Sequence, residues 1–411
     1  MNGAKAAGPI PPEFAGRSMV MLGGRSATDC IEAAGGTPVY VYDFSLVADR
    51  IGRLKAALPA GVDVHYAIKA NPYPPLLAAI APLVGGMDVA SGGELSAALD
   101  VMAANRISIA GPGKRDFELE AAICVGATIN LESEGEAERA LAIGDRVGIR
   151  PRLAVRVNPD FELRGSGMKM GGRASPFGVD VARVPALVER LAVRGADWRG
   201  FHIFAGSQSL DTAAIREAQA ATIALAARLA REIGYPPPLV NLGGGFGIPY
   251  FAGDRPVNVE AIGLALGDQF DPLPAILAES RFAIELGRWL VGEAGVYLAR
   301  VVDRKQSGEE TFLVVDGGLN HHLAATGNFG TVVRRNYPVA VADRVNREPE
   351  EVVSVVGPLC TPLDRLADRV ALPRADVGDI IAIFASGAYG ATASPSAFLG
   401  HRPVAELLVG V

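Results

Sequence analysis

Cysteine is scarce in this sequence. Its three copies, Cys30, Cys124 and Cys360, are too few and too scattered for a disulfide framework or a zinc site. Long hydrophobic runs are missing as well: no stretch reaches the roughly 18 uninterrupted apolar residues of a membrane-crossing helix. The opening MNGAKAAGPIPPEFAGR is rich in Pro and Gly and lacks an apolar core of export-signal length. Basic charge is concentrated nowhere, and the net charge is −6, which argues against a nucleic-acid partner. Internal repeats, low-complexity tracts and long charge runs are absent too. Together these absences point to a protein of the reducing cytoplasm, with no metal, membrane or nucleic acid among its partners.

What is present is a globular composition. Of 411 residues, 49% are hydrophobic and 20% charged, enough for one large domain with a real core plus a smaller one. From about residue 44 to 295, short β-branched runs alternate with longer Ala/Leu-rich segments, read as buried strands and amphipathic helices. Strands are predicted at 62–69, 87–90, 107–110, 128–132, 153–158, 201–206, 239–244 and 282–286. Helices are predicted at 45–59, 74–84, 93–105, 116–126 and 212–234. Eight strands alternating with helices suit a closed (β/α)8 TIM barrel, whose catalytic side chains gather at the C-terminal strand ends; an open doubly wound sheet is the alternative. Residues 296–411 read as an all-β domain of short runs and turns. The strand in TPVYVYD, within the N-terminal segment 1–43, either joins that domain or leads into the barrel.

Lys69 closes the first strand, in YAIKAN. An ammonium there is costly to bury unless paired or deprotonated, and a desolvated lysine is the form a Schiff-base nucleophile needs. The ordinary alternative is a solvated lysine at a strand edge. The seventh strand runs out into Gly243-Gly244-Gly245, where missing side chains let backbone N–H groups approach a phosphate, or simply permit a tight turn. Glu285 and Arg288 follow from the eighth strand in ELGR. A carboxylate facing a cofactor's pyridine nitrogen keeps it protonated; Arg288 would serve a phosphate or an ion pair, and a plain surface pair is the bland alternative. On the sixth strand His202 and Phe204 share a face by alternation, placing one of them to stack on an aromatic cofactor, with Gly206-Ser207-Gln208 following; core packing is the commoner fate of such residues. Asp88, Ser91 and Glu94 end the second strand, and Arg156 and Asn158 the fifth. Polar residues thus gather at the ends of at least five strands.

In order, YAIKAN, DVASGGEL, GPGK, RVNP, FGV, HIFAGSQ, NLGGGFGIPY, ELGR, VVGPLC and GDIIAIFASGAYG resemble the fold type III pyridoxal phosphate-dependent decarboxylases of ornithine, diaminopimelate and arginine. The resemblance runs from about residue 37 to the C-terminus. It implies an alanine-racemase-like barrel plus a β-domain, and a homodimer with shared active sites. It makes Lys69 the Schiff-base lysine and Glu285 the pyridine partner. It assigns Gly243 to Gly245, Ser207, Arg288 and Tyr389 to the phosphate, and Asp88, Arg156, His202, Phe204 and Gly287 to the cofactor's surroundings. Cys360, from the other subunit, would protonate the substrate carbon after CO₂ leaves; Thr361 and Phe398 would face the substrate.

The departures concern the substrate. Phe204 stands where the family's second histidine stacks on the ring. Thr361 replaces the acidic residue that follows the cysteine and recognises the substrate's distal end. An arginine of the diaminopimelate enzymes is missing where Asn320-His321-His322-Leu323 runs on to Ala324, and Ser175-Pro176-Phe177-Gly178 lacks an interface lysine. A site without that acid suits free diaminopimelate, lysine or ornithine badly. CTPLD (360–364), with GSGMKMGG (165–172), resembles the exosortase-associated branch, which implies an aminoacyl substrate tethered to an acyl carrier protein. A racemase on the same barrel, which would carry an arginine in place of Glu285, and a non-catalytic pyridoxal phosphate-binding homologue are the alternatives.

Overall fold

The computed structural model describes residues 3–163, 168–169, 174–327 and 334–411. Of GSGMKMGG, residues 165–167 and 170–172 lie outside the described residues. The chain divides into two compact units, one of Arg50–Gly247 and Val257–Gly287, the other of Met1–Asp49, Ile248–Pro256 and Arg288–Val411.

The first unit is a closed parallel barrel. Its eight strands are β1 (Val62–Ala67), β2 (Gly86–Val89), β3 (Ile107–Ile109), β4 (Thr128–Leu131), β5 (Arg152–Asn158), β6 (Asp197–Ile203), β7 (Leu239–Gly244) and β8 (Arg281–Leu286). Each pairs with the next, β8 returns to β1, and a two-residue strand, Val179–Asp180, adds beside β5. Closure sets aside the open doubly wound sheet.

The strands carry a pattern that decides what the barrel can hold. His65, Ser108, Asn130, Arg156, Asn241 and Glu285 are each flanked in sequence by two apolar residues, such as Val64 and Tyr66, Ile129 and Leu131, or Ile284 and Leu286, all buried. Side chains alternate across a strand, so one face is polar and the face toward the helices is apolar. Barrel interiors of this kind are more often filled with branched aliphatic side chains. Here the polar face encloses the chemistry instead.

Helices begin where their caps dictate. Ser91 accepts from the Glu94 N–H at 3.2 Å, and Glu94 accepts from the Ala90 N–H at 2.7 Å, opening the helix Gly92–Leu99. That helix is shorter than the predicted 93–105 because the chain passes into a separate turn, Ala104–Arg106, before β3.

In the second unit an eight-stranded sheet includes Gly295–Ser307, Ile380–Ile383 and Ala405–Val409. Val39–Asp43 pairs antiparallel with the first of these and parallel with the last, so TPVYVYD belongs to the β sheet. Phe14, Leu22, Val296 and Phe384 lie in its core. Among the described residues no helix is long and apolar enough to cross a membrane.

Candidate active site

Lys69 is not the last residue of a strand. β1 ends at Ala67, and Lys69 occupies the single 3-10 turn Ile68–Ala70 that follows. Ile68 and Ala70 point inward and are buried, whereas Lys69 between them is exposed. The expectation that burial singles this lysine out is therefore corrected: with three residues to a 3-10 turn, the middle side chain faces away from the buried two. Its anchoring is what sets it apart. The Asn71 N–H donates to the Ile68 carbonyl, the Tyr66 hydroxyl donates to the Asn71 carbonyl at 2.9 Å, and the Tyr73 N–H donates to Asn71 Oδ1 at 3.0 Å. Gly287 completes the clamp, since a Cβ there would sit 2.8 Å from that of Ala70. The Lys69 Nζ lies 6.0 Å from the centre of the Phe204 ring.

Phe204 itself lies one residue beyond β6, which ends at Ile203. The alternation argument that placed it on one strand face with His202 does not apply there. His202 remains within the strand, buried, with Nε2 2.7 Å from Glu285 Oε2. Burial works against the Glu285 carboxylate, yet the hydrogen bond and charge of His202, with the charges of Lys69 and Arg156 behind, lower its pKa to about 2. An ionised carboxylate only accepts, so Nε2 carries the proton, and the buried Nδ1 has no hydrogen-bond partner among the described residues. Sequence showed both residues but not their pairing.

Gly243, Gly244 and Gly245 are dictated by backbone. A Cβ on them would lie 2.5 Å from the Ile203 carbonyl oxygen, 1.8 Å from that of Glu285 and 2.1 Å from that of Gly206, and two of them have positive φ, +70° and +81°. The Gly243 N–H is taken by Asn241 Oδ1 at 2.9 Å, so an anion would have to use N–H groups after it. Nearby, the buried Ser207 hydroxyl has no hydrogen-bond partner among the described residues.

Arg156 is nearly buried and held from two sides. It donates to Glu132 at 2.8 Å, and the Phe177 ring lies 5.0 Å from its guanidinium carbon. Glu132 also accepts the Gly111 and Gly178 N–H groups, each at 2.7 Å. A second buried pair, Lys114 and Glu136 at 3.1 Å, stands alongside. Burial raises the Glu132 carboxyl, but Arg156 and Lys114 outweigh it and hold it below the usual range. Glu132, Lys114, Glu136 and His65 were not singled out in the sequence, because their partners come from other strands and loops. The signals in the sequence were an acidic residue closing TINLE and, for Lys114, the motif GPGK. Asp88 accepts from Ser108 and faces His65.

The remaining candidates belong to the second unit. Arg288 donates to the Tyr250 hydroxyl at 2.9 Å and lies 4.5 Å from the Tyr389 ring centre; Tyr389 holds a left-handed φ of 55°. Cys360 is exposed, Thr361 half-buried and Phe398 exposed. The Thr361 hydroxyl accepts from the Leu363 N–H at 3.3 Å. Asp364 spends both carboxylate oxygens on its own surroundings, accepting from the Leu319 N–H at 2.6 Å and the Leu359 N–H at 2.8 Å. Cβ atoms on Gly318 and Gly357 would collide with that carboxylate at 2.2 and 2.3 Å. Asp364→Ala is expected to destabilise the protein by about 2–4 kcal/mol in chemical denaturation, since two amides lose their acceptor at about 1–3 kcal/mol each. A loss below about 0.5 kcal/mol, the scale of a neutral surface change, would contradict this. Nearby, burial lowers the His322 pKa to about 3, and its Nε2 lies 2.8 Å from Ser386 Oγ. Asn320-His321-His322 therefore packs into the core.

Residues 45–292 match the family described as pyridoxal-dependent decarboxylase, pyridoxal binding domain. The chain is 34% identical over 379 residues, 90% of its length and 88% of the relative's, to the L-glutamyl-[BtrI acyl-carrier protein] decarboxylase of Niallia circulans. It is 33% identical over 378 residues to the diaminopimelate decarboxylase of Archaeoglobus fulgidus, covering 91% of this chain and 88% of that one. The crystal structure of Helicobacter pylori diaminopimelate decarboxylase complexed with L-lysine superposes with a TM-score of 0.79 at 27% identity, covering 91% of both chains. With a matching barrel and a matching sequence over most of its length, the chain belongs to the pyridoxal-dependent decarboxylases.

Proposed function

We propose that this amino-acid decarboxylase acts on an aminoacyl group carried as a thioester on an acyl carrier protein, and that it works as a cytoplasmic homodimer. The observation that carries the reading is the loop after Cys360. Where the resembling diamino-acid enzymes keep an acid for the distal ammonium, this chain has Thr361, with its hydroxyl turned to Leu363. The loop's own acid, Asp364, has both oxygens occupied. A distal ammonium brought there would stay unpaired, which costs several kcal/mol when buried. A thioester brings no such charge. The attachment must run through the distal carboxyl, because the α-amine has to reach the cofactor and the α-carboxylate has to be free to leave. The Niallia relative, whose name specifies a glutamyl group on a carrier, supports the same chemistry.

Bound pyridoxal phosphate supplies the electron sink that takes up the pair left behind when CO₂ departs. Its fit is supported by the partnerless Ser207 hydroxyl and the glycine-only exit of β7. Lys69 would hold its aldehyde carbon and Phe204 one ring face. Glu285, kept ionised by His202, would hold a proton on its pyridine nitrogen. Asp88, Arg156 and Gly287 would shape the surroundings. Arg288 and Tyr389 at the phosphate, and Phe398 at the substrate, are proposed on the resemblance. Cys360, contributed across the dimer, would return a proton to the α-carbon.

The test compares CO₂ release from a glutamyl-carrier thioester with release from free amino acids. The carrier form is expected to have a kcat/KM at least about 10²-fold higher, the discrimination that one unpaired polar group already provides. Free diaminopimelate, lysine or ornithine turned over at about 10⁴ M⁻¹s⁻¹ or above, an ordinary enzymatic efficiency, would overturn the reading.

A further inference from the structure

The barrel has a second opening, at the end opposite Lys69. A cavity of about 310 Å³ lies among the first residues of the strands, with Asp63, Thr128 and Arg281 at its rim, and reaches inward to His65, Ser108 and Asn130. At its inner end one chain of polar contacts ties four consecutive strands. Asn130 Nδ2 donates to Ser108 Oγ at 3.1 Å, Ser108 Oγ donates to Asp88 Oδ1, and Asp88 Oδ2 lies 3.4 Å from His65 Nδ1. His65 keeps 13% of its side chain accessible, whereas Asp88 keeps 6% and does not line the cavity. The imidazole therefore stands between the cavity solvent and a buried carboxylate. The decarboxylation chemistry makes no use of this imidazole.

We infer that His65 is a positioning residue, reached by protons from the N-terminal cavity, that sets the charge balance of Asp88 on the cofactor side of the barrel. The inference rests on the proposed role of Asp88 near the cofactor. A buried carboxylate is stable as an anion only beside a positive partner, and the imidazole is the one cationic group the polar chain offers it. Burial alone would lower the imidazole's pKa. The Asp88 charge at 3.4 Å outweighs it, helped by Asp63 on the same strand and Glu285 on β8, and holds it above the ordinary 6.5. The stabilisation from this pair is thus complete below the ordinary histidine value and lost as pH rises through the raised one. His65 titration then changes the field at Asp88 at a pH above the ordinary histidine value.

The chain has five histidines, so the imidazoles can be followed individually by NMR on histidine-labelled holoenzyme. One imidazole, assigned by its absence in His65→Gln, is expected to titrate above the ordinary value. Asp88→Asn should bring its midpoint down by about one pH unit, the lower range for an opposite charge at this distance. The pH midpoint of the bound cofactor's visible absorbance should shift by a similar amount in His65→Gln, measured below that variant's own melting transition, which the loss of the pair lowers. A His65 midpoint at or below the ordinary value in the unmodified enzyme overturns the inference, as does one that Asp88→Asn leaves in place. An absorbance midpoint unmoved in a folded His65→Gln enzyme overturns it as well. None of these readouts depends on the substrate, so failure of the carrier reading leaves this result standing on its own.

Discussion

Replacing Lys69 with alanine is expected to abolish CO₂ release, by at least ~10⁴-fold, the scale on which loss of a covalent nucleophile acts, while the melting temperature stays essentially unchanged. The two halves of this expectation come from one feature. Lys69 projects from a turn whose backbone is fixed by Tyr66, Asn71 and Gly287, so truncating its side chain opens no cavity and strands no buried group. Activity and stability therefore separate, which they would not for a lysine serving as a buried structural cation such as Lys114. The spectrum gives an independent check, because a purified Lys69→Ala protein can no longer hold the cofactor's aldehyde covalently. Turnover retained in this variant would remove the assignment of Lys69 altogether.

Glu285→Gln is expected to lower kcat by about 10²–10³, comparable to removing one preorganised electrostatic group from other active sites. The amide keeps the shape and can still accept from His202, so the change isolates the charge. Burial alone would push this carboxyl up. The His202 hydrogen bond and charge, with Lys69 and Arg156, hold it at about 2 against an ordinary 4.5. For a depressed acid the sign is fixed: its contribution to stability is full above the unfolded value and fades as pH falls toward the folded one. The unmodified protein should lose stability relative to Glu285→Gln between about pH 5 and 2, and the two should differ by a constant amount above that window. Denaturation at several pH values measures this directly. A parallel pair of curves through the acid range would mean that Glu285 is not held ionised, and a Glu285→Gln enzyme of full activity would remove it from the cofactor.

These expectations draw on different parts of what was legible. All eight barrel strands were visible as short β-branched runs, because a strand buried between helices and an interior must alternate within a few residues. Lys69 and Glu285 were visible as polar residues where those runs end. The precise ends were not: β1 stops two residues before Lys69 and β6 one residue before Phe204. A local turn decides such boundaries through contacts like Gly287 against Ala70, between residues more than 200 positions apart.

The sequence alone determined the residue types at each strand end, the run of glycines after β7, and the absence of an acid at Thr361. Those depend on covalent identity and on period-two alternation, both written along the chain. Tertiary structure alone decided partnership. It gave Glu285 its histidine and Arg156 its Glu132, used up both oxygens of Asp364, and placed His65 between a cavity and Asp88. A pairing of charges across a closed barrel depends on which strands become neighbours, and closure is a property of the whole sheet.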